Sequence, residues 1–296
     1  MTPAPCFAPA PRAARAARIW RLRMRMKIYR CNHVAPERPD VGPIFKTLIS
    51  GLPSCAQGTY EGDLDGVNIA NQNTHSEMRH QFYVWKNRLA DYDYIGFEHY
   101  RRAFFIDPLP DAVVKARYPG VHMLRKAFTA RPNSHNILAE KTLFDEYMDM
   151  RAAFSEENNA AIQDWIGHHD IIVQRAHPDP LDAQWRQHFG MNVLWSHLLI
   201  AAKKTSFFAS RGATPETSML GTYCNMYIMR ADLFDEYMQF WSEAMAYLDA
   251  KVEPGQRILG HFAERLFSMY LYQKQIETPL LSVRRLPFLI CNQKIA

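Results

Sequence analysis

The sequence predicts an α/β protein, with a mostly parallel sheet flanked by helices in a single domain. Three observations carry this. Short apolar runs at residues 27–32, 94–97, 170–174 and 223–229 alternate with longer helical stretches. Those stretches show apolar residues on one helical stripe. No internal repeat or Pro/Gly/Ser-rich linker divides the 296-residue chain after Met26, and that length suits one large domain at roughly 100–200 residues per domain.

In chain order, residues 1–25 are dominated by Ala, Pro and Arg, too poor in apolar residues to form a core. They read as a disordered extension ahead of a domain at 26–296, with a start at Met26 or a basic helix on an anionic membrane surface as alternatives. No apolar h-region follows the arginines, which argues against a cleaved signal peptide. Residues 27–32 predict the first strand. Residues 36–60 read as loop around an apolar patch at 44–49. A helix is predicted over 75–89, with Thr74 and Glu77 as a capping box and Met78, Phe82, Trp85 and Leu89 as its buried stripe. A turn at 91–93 leads into a strand at 94–97. Residues 107–132 read as irregular and Pro-punctuated, and 141–168 as helical. A strand at 170–174, a helix over 181–204 and a loop at 210–221 follow. Next come a buried strand at 223–229 and a helix capped by Asp232 with the stripe Leu233, Tyr237, Phe240, Trp241 and Leu248. The last long helix is expected at 257–272, and a short strand near 280–284.

The formal charge of +5 sits largely in Arg12, Arg15, Arg18, Arg21, Arg23 and Arg25. The remaining body is close to neutral, which excludes the broad basic face that a nucleic-acid partner requires. Five scattered cysteines without a CxxC pair fit neither a disulfide framework nor a zinc site, and point to a reducing, cytoplasmic setting. No run approaches the roughly 18 apolar residues of a membrane span. HExxH, GxSxG, P-loop and GxGxxG motifs do not occur.

Three stretches could carry chemistry. The segment DYIGFEHYRR, 93–102, turns abruptly from apolar to polar at the carboxyl end of a strand, where open α/β sheets bind ligands. Its His99, Arg101 and Arg102 supply donors suited to a diphosphate; a solvated strand end with a surface ion pair is the alternative. The segment DLDGVNIANQN, 63–73, contains a D-x-D triplet, but no buried strand precedes it. An Asp-Gly turn is therefore favoured, with Asp65 and Asn68 retained as ligand contacts. On the last helix His261, Glu264, Arg265 and Ser268 share a polar face, where a carboxylate could serve as general base or simply face solvent in a local ion pair.

The blocks DGVNIANQN, SEMRHQFYVWKN, DYIGFEHYRR, NMYIMRADLFDEY and GHFAERL occur in order from about residue 27 to 277. Together they resemble a family of bacterial capsular and exopolysaccharide glycosyltransferases, catalogued as a domain of unknown function, number 4422. The resemblance implies a GT-A-like, Rossmann-related fold. It implies a nucleotide-diphosphate-sugar donor (a UDP-sugar first) and a surface-polysaccharide or lipid-linked glycan acceptor, with work at the inner membrane face. It gives Glu264 as candidate base and places Asn225, Arg265 and His188 on the acceptor side, His188 through a loose Q-aromatic-x-x-His match at Gln184–Trp185. Where such folds hold Mn or Mg with D-x-D, this chain has 98–102. Either Glu98 holds the metal, or His99, Arg101 and Arg102 neutralise the diphosphate with little or none. Ser76 and His261 depart from the family pattern. A non-catalytic nucleotide- or glycan-binding protein of the same fold is the alternative function.

Overall fold

The computed structural model describes residues 24–36, 39–40, 42–106, 109–131, 134–157, 159–190, 193–251 and 258–292. The expectations for residues 1–23 lie outside them. The chain runs β1 (Met26–Asn32), β2 (Phe45–Ile49), β3 (Glu61–Gly62), α1 (Met78–Arg88), β4 (Tyr94–His99), β5 (Arg102–Phe104), α2 (Asp111–Arg117), α3 (Pro119–Ala130) and β6 (Asn136–Ala139). It continues with α4 (Lys141–Glu157), α5 (Asn159–Ile166), β7 (Ile171–Gln174), α6 (Leu181–Phe189), α7 (Val193–Lys204), α8 (Ser206–Ala209), β8 (Tyr227–Arg230), α9 (Ala231–Leu248), α10 (Ile258–Glu277), β9 (Val283–Leu286) and β10 (Phe288–Cys291).

The strands form one mixed sheet. Its first half, β3-β2-β1-β4, is parallel throughout. Strand β8 then joins β4 antiparallel, β7 joins β8 antiparallel, and β9 lies parallel to β7. A branch leaves the carboxyl end of β4, where His99 pairs Arg102 in a tight reversal and β5, β10 and β6 follow. Alternation along each strand divides the core. Tyr29, Cys31, Ile95, Phe97, Tyr227 and Met229 face a cluster built with α1, α6, α7, α9 and α10. Met26, Ile28, Tyr94 and Ile228 face the opposite cluster, with Phe154, Ile162 and Ile166 of α4 and α5. No described helix is long and apolar enough to cross a membrane.

Several local expectations are corrected. The patch at 44–49 is strand β2, hydrogen-bonded to β1 from Phe45 to Ile49. The region expected to be irregular holds α2 and α3, because Pro119 opens α3 at its first turn, where a missing N–H costs nothing. The expected helix 181–204 is interrupted at Gly190, whose φ of +71° ends α6. The capping box does not form. Thr74 lies in a 3-10 turn, Ser76 takes φ +51°, and α1 begins at Met78 with no side-chain cap from Glu77. Strand β8 starts only at Tyr227, since Cys224 (φ +71°) and Asn225 (φ +48°) leave the extended region.

Candidate functional site

The candidate site lies beyond the carboxyl ends of β1 and β4. In β4, neighbouring residues point to opposite sheet faces, so Glu98 and His99 part company. Glu98 is 1% exposed. One carboxylate oxygen accepts from the Phe104 N–H at 2.9 Å and the other from Arg151 Nη1 at 2.6 Å. Burial disfavours the Arg151 cation, but Glu98 and Asp40 outweigh it and hold the guanidinium above its ordinary pKa. Glu98 is therefore committed to an ion pair inside the core, on the face away from the site.

His99 faces the other way. Its Nε2 meets Glu77 Oε1 at 2.5 Å, and its buried Nδ1 has no hydrogen-bond partner. The positive φ at Ser76 turns Glu77 away from a capping role and towards the strand end. Burial alone would raise the Glu77 pKa; the hydrogen bond and charge of His99 bring it down to about 2. His33, immediately after β1, lies with its ring centroid 6.4 Å from that of His99 and 5.5 Å from that of Tyr100. One ligand atom each from His33, Glu77 and His99 fall within 4.8 Å of one another. Two imidazoles and a carboxylate so placed are a donor set for a divalent transition metal.

A cavity of about 520 Å³ adjoins this cluster, lined by His33, Ser50, Gly51, Ala70, Asn73 and Arg79. Arg79 is buried and fixes its wall, donating from Nη1 to the Ala70 carbonyl at 2.7 Å and to Asn73 Oδ1 at 2.6 Å. Asp63 is fully buried and accepts the Gly51 N–H at 2.6 Å. The 63–73 loop is organised by its own side chains. Asp65 accepts from Ser54 N–H at 2.9 Å, and Asn68 donates to the carbonyls of Leu64 and Gly66. Asn87 of α1 clamps Val67 through both its amide donor and its acceptor. Asp65 and Asn68 thus brace the turn favoured by the Asp-Gly pair.

The third wall comes from α10 and the loop before β8. Glu264 Oε1 accepts from the Cys224 N–H at 2.7 Å; Oε2 lies 2.6 Å from Arg265 Nη1 and 3.4 Å from His261 Nδ1. Burial raises the Glu264 pKa, yet His261, Arg265 and the Cys224 amide together hold it below the ordinary value, so the group is ionised at neutral pH. The left-handed turn at Cys224 and Asn225 presents that amide. Gln81 pins it by donating to the Asn225 carbonyl at 2.8 Å, and the Asn225 amide donates to the Gly260 carbonyl at 3.2 Å. Gly260 must be glycine, since a Cβ there would come within 2.9 Å of Ser76. Arg265 also reaches Gln184 and lies 4.8 Å over the Tyr223 ring.

The Cys224 thiol is pushed up to about 12, first by burial; Arg102 and Arg265 oppose the rise, and Glu264 and Glu77 add to it. The fields of all four charges reach this thiol. Arg102, on β5, is half-buried, and its side chain makes no hydrogen bond or ion pair among the described residues. Arg101 instead donates from Nε and Nη2 to the Cys291 carbonyl, tying the reversal to β10. His188 lies exposed on α6, its Nδ1 2.9 Å from the Gln184 carbonyl.

Of the expected site residues, the structure places Asn225, Glu264 and Arg265 on one wall and His99 at the strand end with Glu77, with the charge of Arg102 reaching Cys224. It engages Glu98, Arg101, Asp65 and Asn68 elsewhere in the fold and leaves His188 at the rim. His33 and Glu77 were not among those expected. The strand-end rule, applied to β1 as well as β4, points to His33. Glu77 carries no such signal, because an acid before a helix reads as a cap.

The fold is one that a glycosyltransferase adopts. It superimposes on the apo structure of the WbbM bifunctional glycosyltransferase with a TM-score of 0.63, at 22% identity, over 90% of this chain and 45% of that one. The chain therefore spans less than half the length of that protein. No curated protein matches it. The family model described as Domain of unknown function (DUF4422) matches residues 27–275, and the chain belongs to that family.

Proposed function

We propose that the chain transfers a sugar from a nucleotide-diphosphate donor, a UDP-sugar first, to a hydroxyl of a bacterial surface-polysaccharide or lipid-linked glycan acceptor. The observation that carries this reading is the cluster of His33, Glu77 and His99 at the ends of β1 and β4, beside a cavity of about 520 Å³, with Glu264 hydrogen-bonded to the Cys224 amide. Arg102 offers a planar fork for diphosphate oxygens, with no protein acceptor to give up first. Glu264 is ionised, oriented by Arg265, His261 and an amide, and is the carboxylate that takes the acceptor proton. Arg265 positions Glu264 and shields it from reprotonation. His33, Glu77 and His99 would hold a divalent metal, Mn in preference to Mg because two of the three donors are imidazole. When bound, such an ion supplies neutralisation of the diphosphate leaving group. The cavity wall at Arg79 and Gly51 receives the nucleotide. Polysaccharide assembly places the protein in the cytoplasm, at the inner membrane face.

Calorimetric titration of the full chain with nucleoside diphosphates, in Mn²⁺ and in EDTA, tests the donor reading. One nucleotide is expected to bind at least tenfold more tightly in Mn²⁺, and Glu77→Gln is expected to abolish the difference. Binding that ignores EDTA would return the diphosphate to Arg102 and His99 alone. No binding of any nucleotide would end the transferase reading.

A further inference from the structure

We infer that the acceptor side of the site contains a subsite for an anionic group, a phosphate or carboxylate carried by the acceptor glycan, held by Arg285. This rests on the transferase reading and names the chemistry of its acceptor.

A second cavity of about 360 Å³ opens between the carboxyl end of β7, strand β9 and the outer half of α10. Its polar lining is Thr222, Ser268, Gln275 and Arg285, its apolar walls include Leu220 and Tyr272, and no carboxylate lines it. Arg285 Nη1 is buried and has no hydrogen-bond partner, and Arg285 forms no ion pair among the described residues. Burial alone pulls its pKa down, with no acid nearby to offset it. Its flanking cations do not help: Arg284 is exposed on the same strand, and Arg175 donates to the Ser134 carbonyl. Arg285 is half-buried, and a guanidinium with one end, Nη1, held out of water without an acceptor is unfavourable until a ligand brings one. Its fork geometry matches phosphate or carboxylate oxygens.

The cavity is mechanically part of the Glu264 site. Ser268 follows Glu264 by four residues, about 6 Å along the helix. Its hydroxyl accepts the Thr222 N–H at 2.9 Å and lies 3.0 Å from the Glu264 carbonyl. Two residues on, Cys224 donates its N–H to the Glu264 carboxylate. Glu264 and the cavity therefore share the 222–224 segment and one turn of α10, and an acceptor with a hydroxyl at Glu264 has this cavity as its neighbour. Half-exposed Leu220 and the Tyr272 ring supply apolar surface for the sugar.

The test uses the full chain, saturated with the nucleoside diphosphate that binds best so that the donor pocket is occupied. Glucose 1-phosphate, glucuronate and glucose are titrated calorimetrically. At least one of the two anionic sugars is expected to bind tenfold or more tightly than glucose, and which one does so separates phosphate from carboxylate. Arg285→Gln is expected to lose at least tenfold for that sugar with nucleotide affinity unchanged. Gln275→Glu, at an exposed helix position, sets a competing anion at the mouth and is expected to lose as much without a folding cost. Equal binding of glucose, failure of both anionic sugars, or an Arg285→Gln protein that binds like the parent would overturn the subsite. If no nucleotide binds but a sugar anion still binds in an Arg285-dependent way, the donor reading falls and the subsite stands.

Discussion

Replacing Glu264 by Gln removes a charge and one acceptor while keeping the shape. The carboxylate is 14% exposed and makes two kinds of contact. A glutamine carbonyl can keep the Cys224 N–H bond, 2.7 Å in the parent. Its NH₂ then faces Arg265 Nη1, donor against donor, where the parent has a 2.6 Å charge-assisted bond. Arg265 is 1% exposed but retains the His261 carbonyl and Gln184, so the loss is one bond to a charged group, roughly 2–3 kcal/mol of stability. The chemical cost is larger. Removing a general base lowers turnover by about 10²–10⁴, equivalent to roughly 3–5 kcal/mol on the barrier. The proposed donor contacts lie on other elements, so nucleotide affinity is expected to stay within about threefold. Initial transfer rates, calorimetric nucleotide binding and thermal melting on one preparation separate these effects. A Glu264→Gln protein that keeps more than a tenth of the parent rate would remove Glu264 from the chemistry. One that loses nucleotide binding instead would move it to the donor side.

Two further outcomes follow from buried charges. His80 is fully buried with Nε2 3.2 Å from the Asn32 carbonyl, and desolvation with the nearby Arg79 lowers its pKa from 6.5 to about 3. The folded pKa is the depressed one, so this stability is full above pH 6.5 and is lost as pH falls towards 3. The loss is about 2 kcal/mol by pH 5; denaturant midpoints at pH 7 and 5 should converge in His80→Gln, and an unchanged pH slope would refute it. Glu98→Gln leaves Arg151, 3% exposed, with only Asp40 at 3.7 Å, so about 3–5 kcal/mol of stability should disappear in urea titration, while Mn²⁺ affinity of the folded protein falls less than in Glu77→Gln. Loss of Mn²⁺ binding would reinstate Glu98 as a ligand.

The strands nearest the middle of the sheet were the most legible, because continuous apolar runs at 27–32 and 94–97 have few other uses. Strands β5 and β10 were not, since three or four residues at a branch carry no periodicity and are defined by their hydrogen bonds to each other and to β4 and β6. Helices α2 and α3 were hidden by their prolines, which here start helices. The reading of His99 and Arg102 as strand-end groups needed only the position of β4. The partnership of Glu77 with His99 goes with an unusual φ at Ser76, whose side chain packs on Gly260, 184 residues further along the chain. No local pattern in SEMRH encodes that contact. The expectation for Glu98 failed to separate it from its neighbour because polarity was read along the strand without the alternation of its faces.

That alternation explains why two adjacent ionisable residues are both required and do different things. Register pairs Arg30 of β1 with Glu98 and Cys31 with His99. Beneath the sheet, Arg30 meets Asp40 at 3.0 Å, and Arg151 meets Asp40 and Glu98. Two cations and two carboxylates balance there, out of water, and bind β1, β4 and α4 into one unit. Above the sheet, His33 and His99 emerge from the same two strand ends. A divalent-metal site needs its donors held at fixed separation before the ion arrives. The buried network below supplies that stiffness to the strand ends above, while Gln81, Asn225 and Gly260 fix α1 and α10 from the other side. Disturbing either brace should therefore weaken metal affinity less than removing Glu77, because the braces set where the donors stand and Glu77 is one of them.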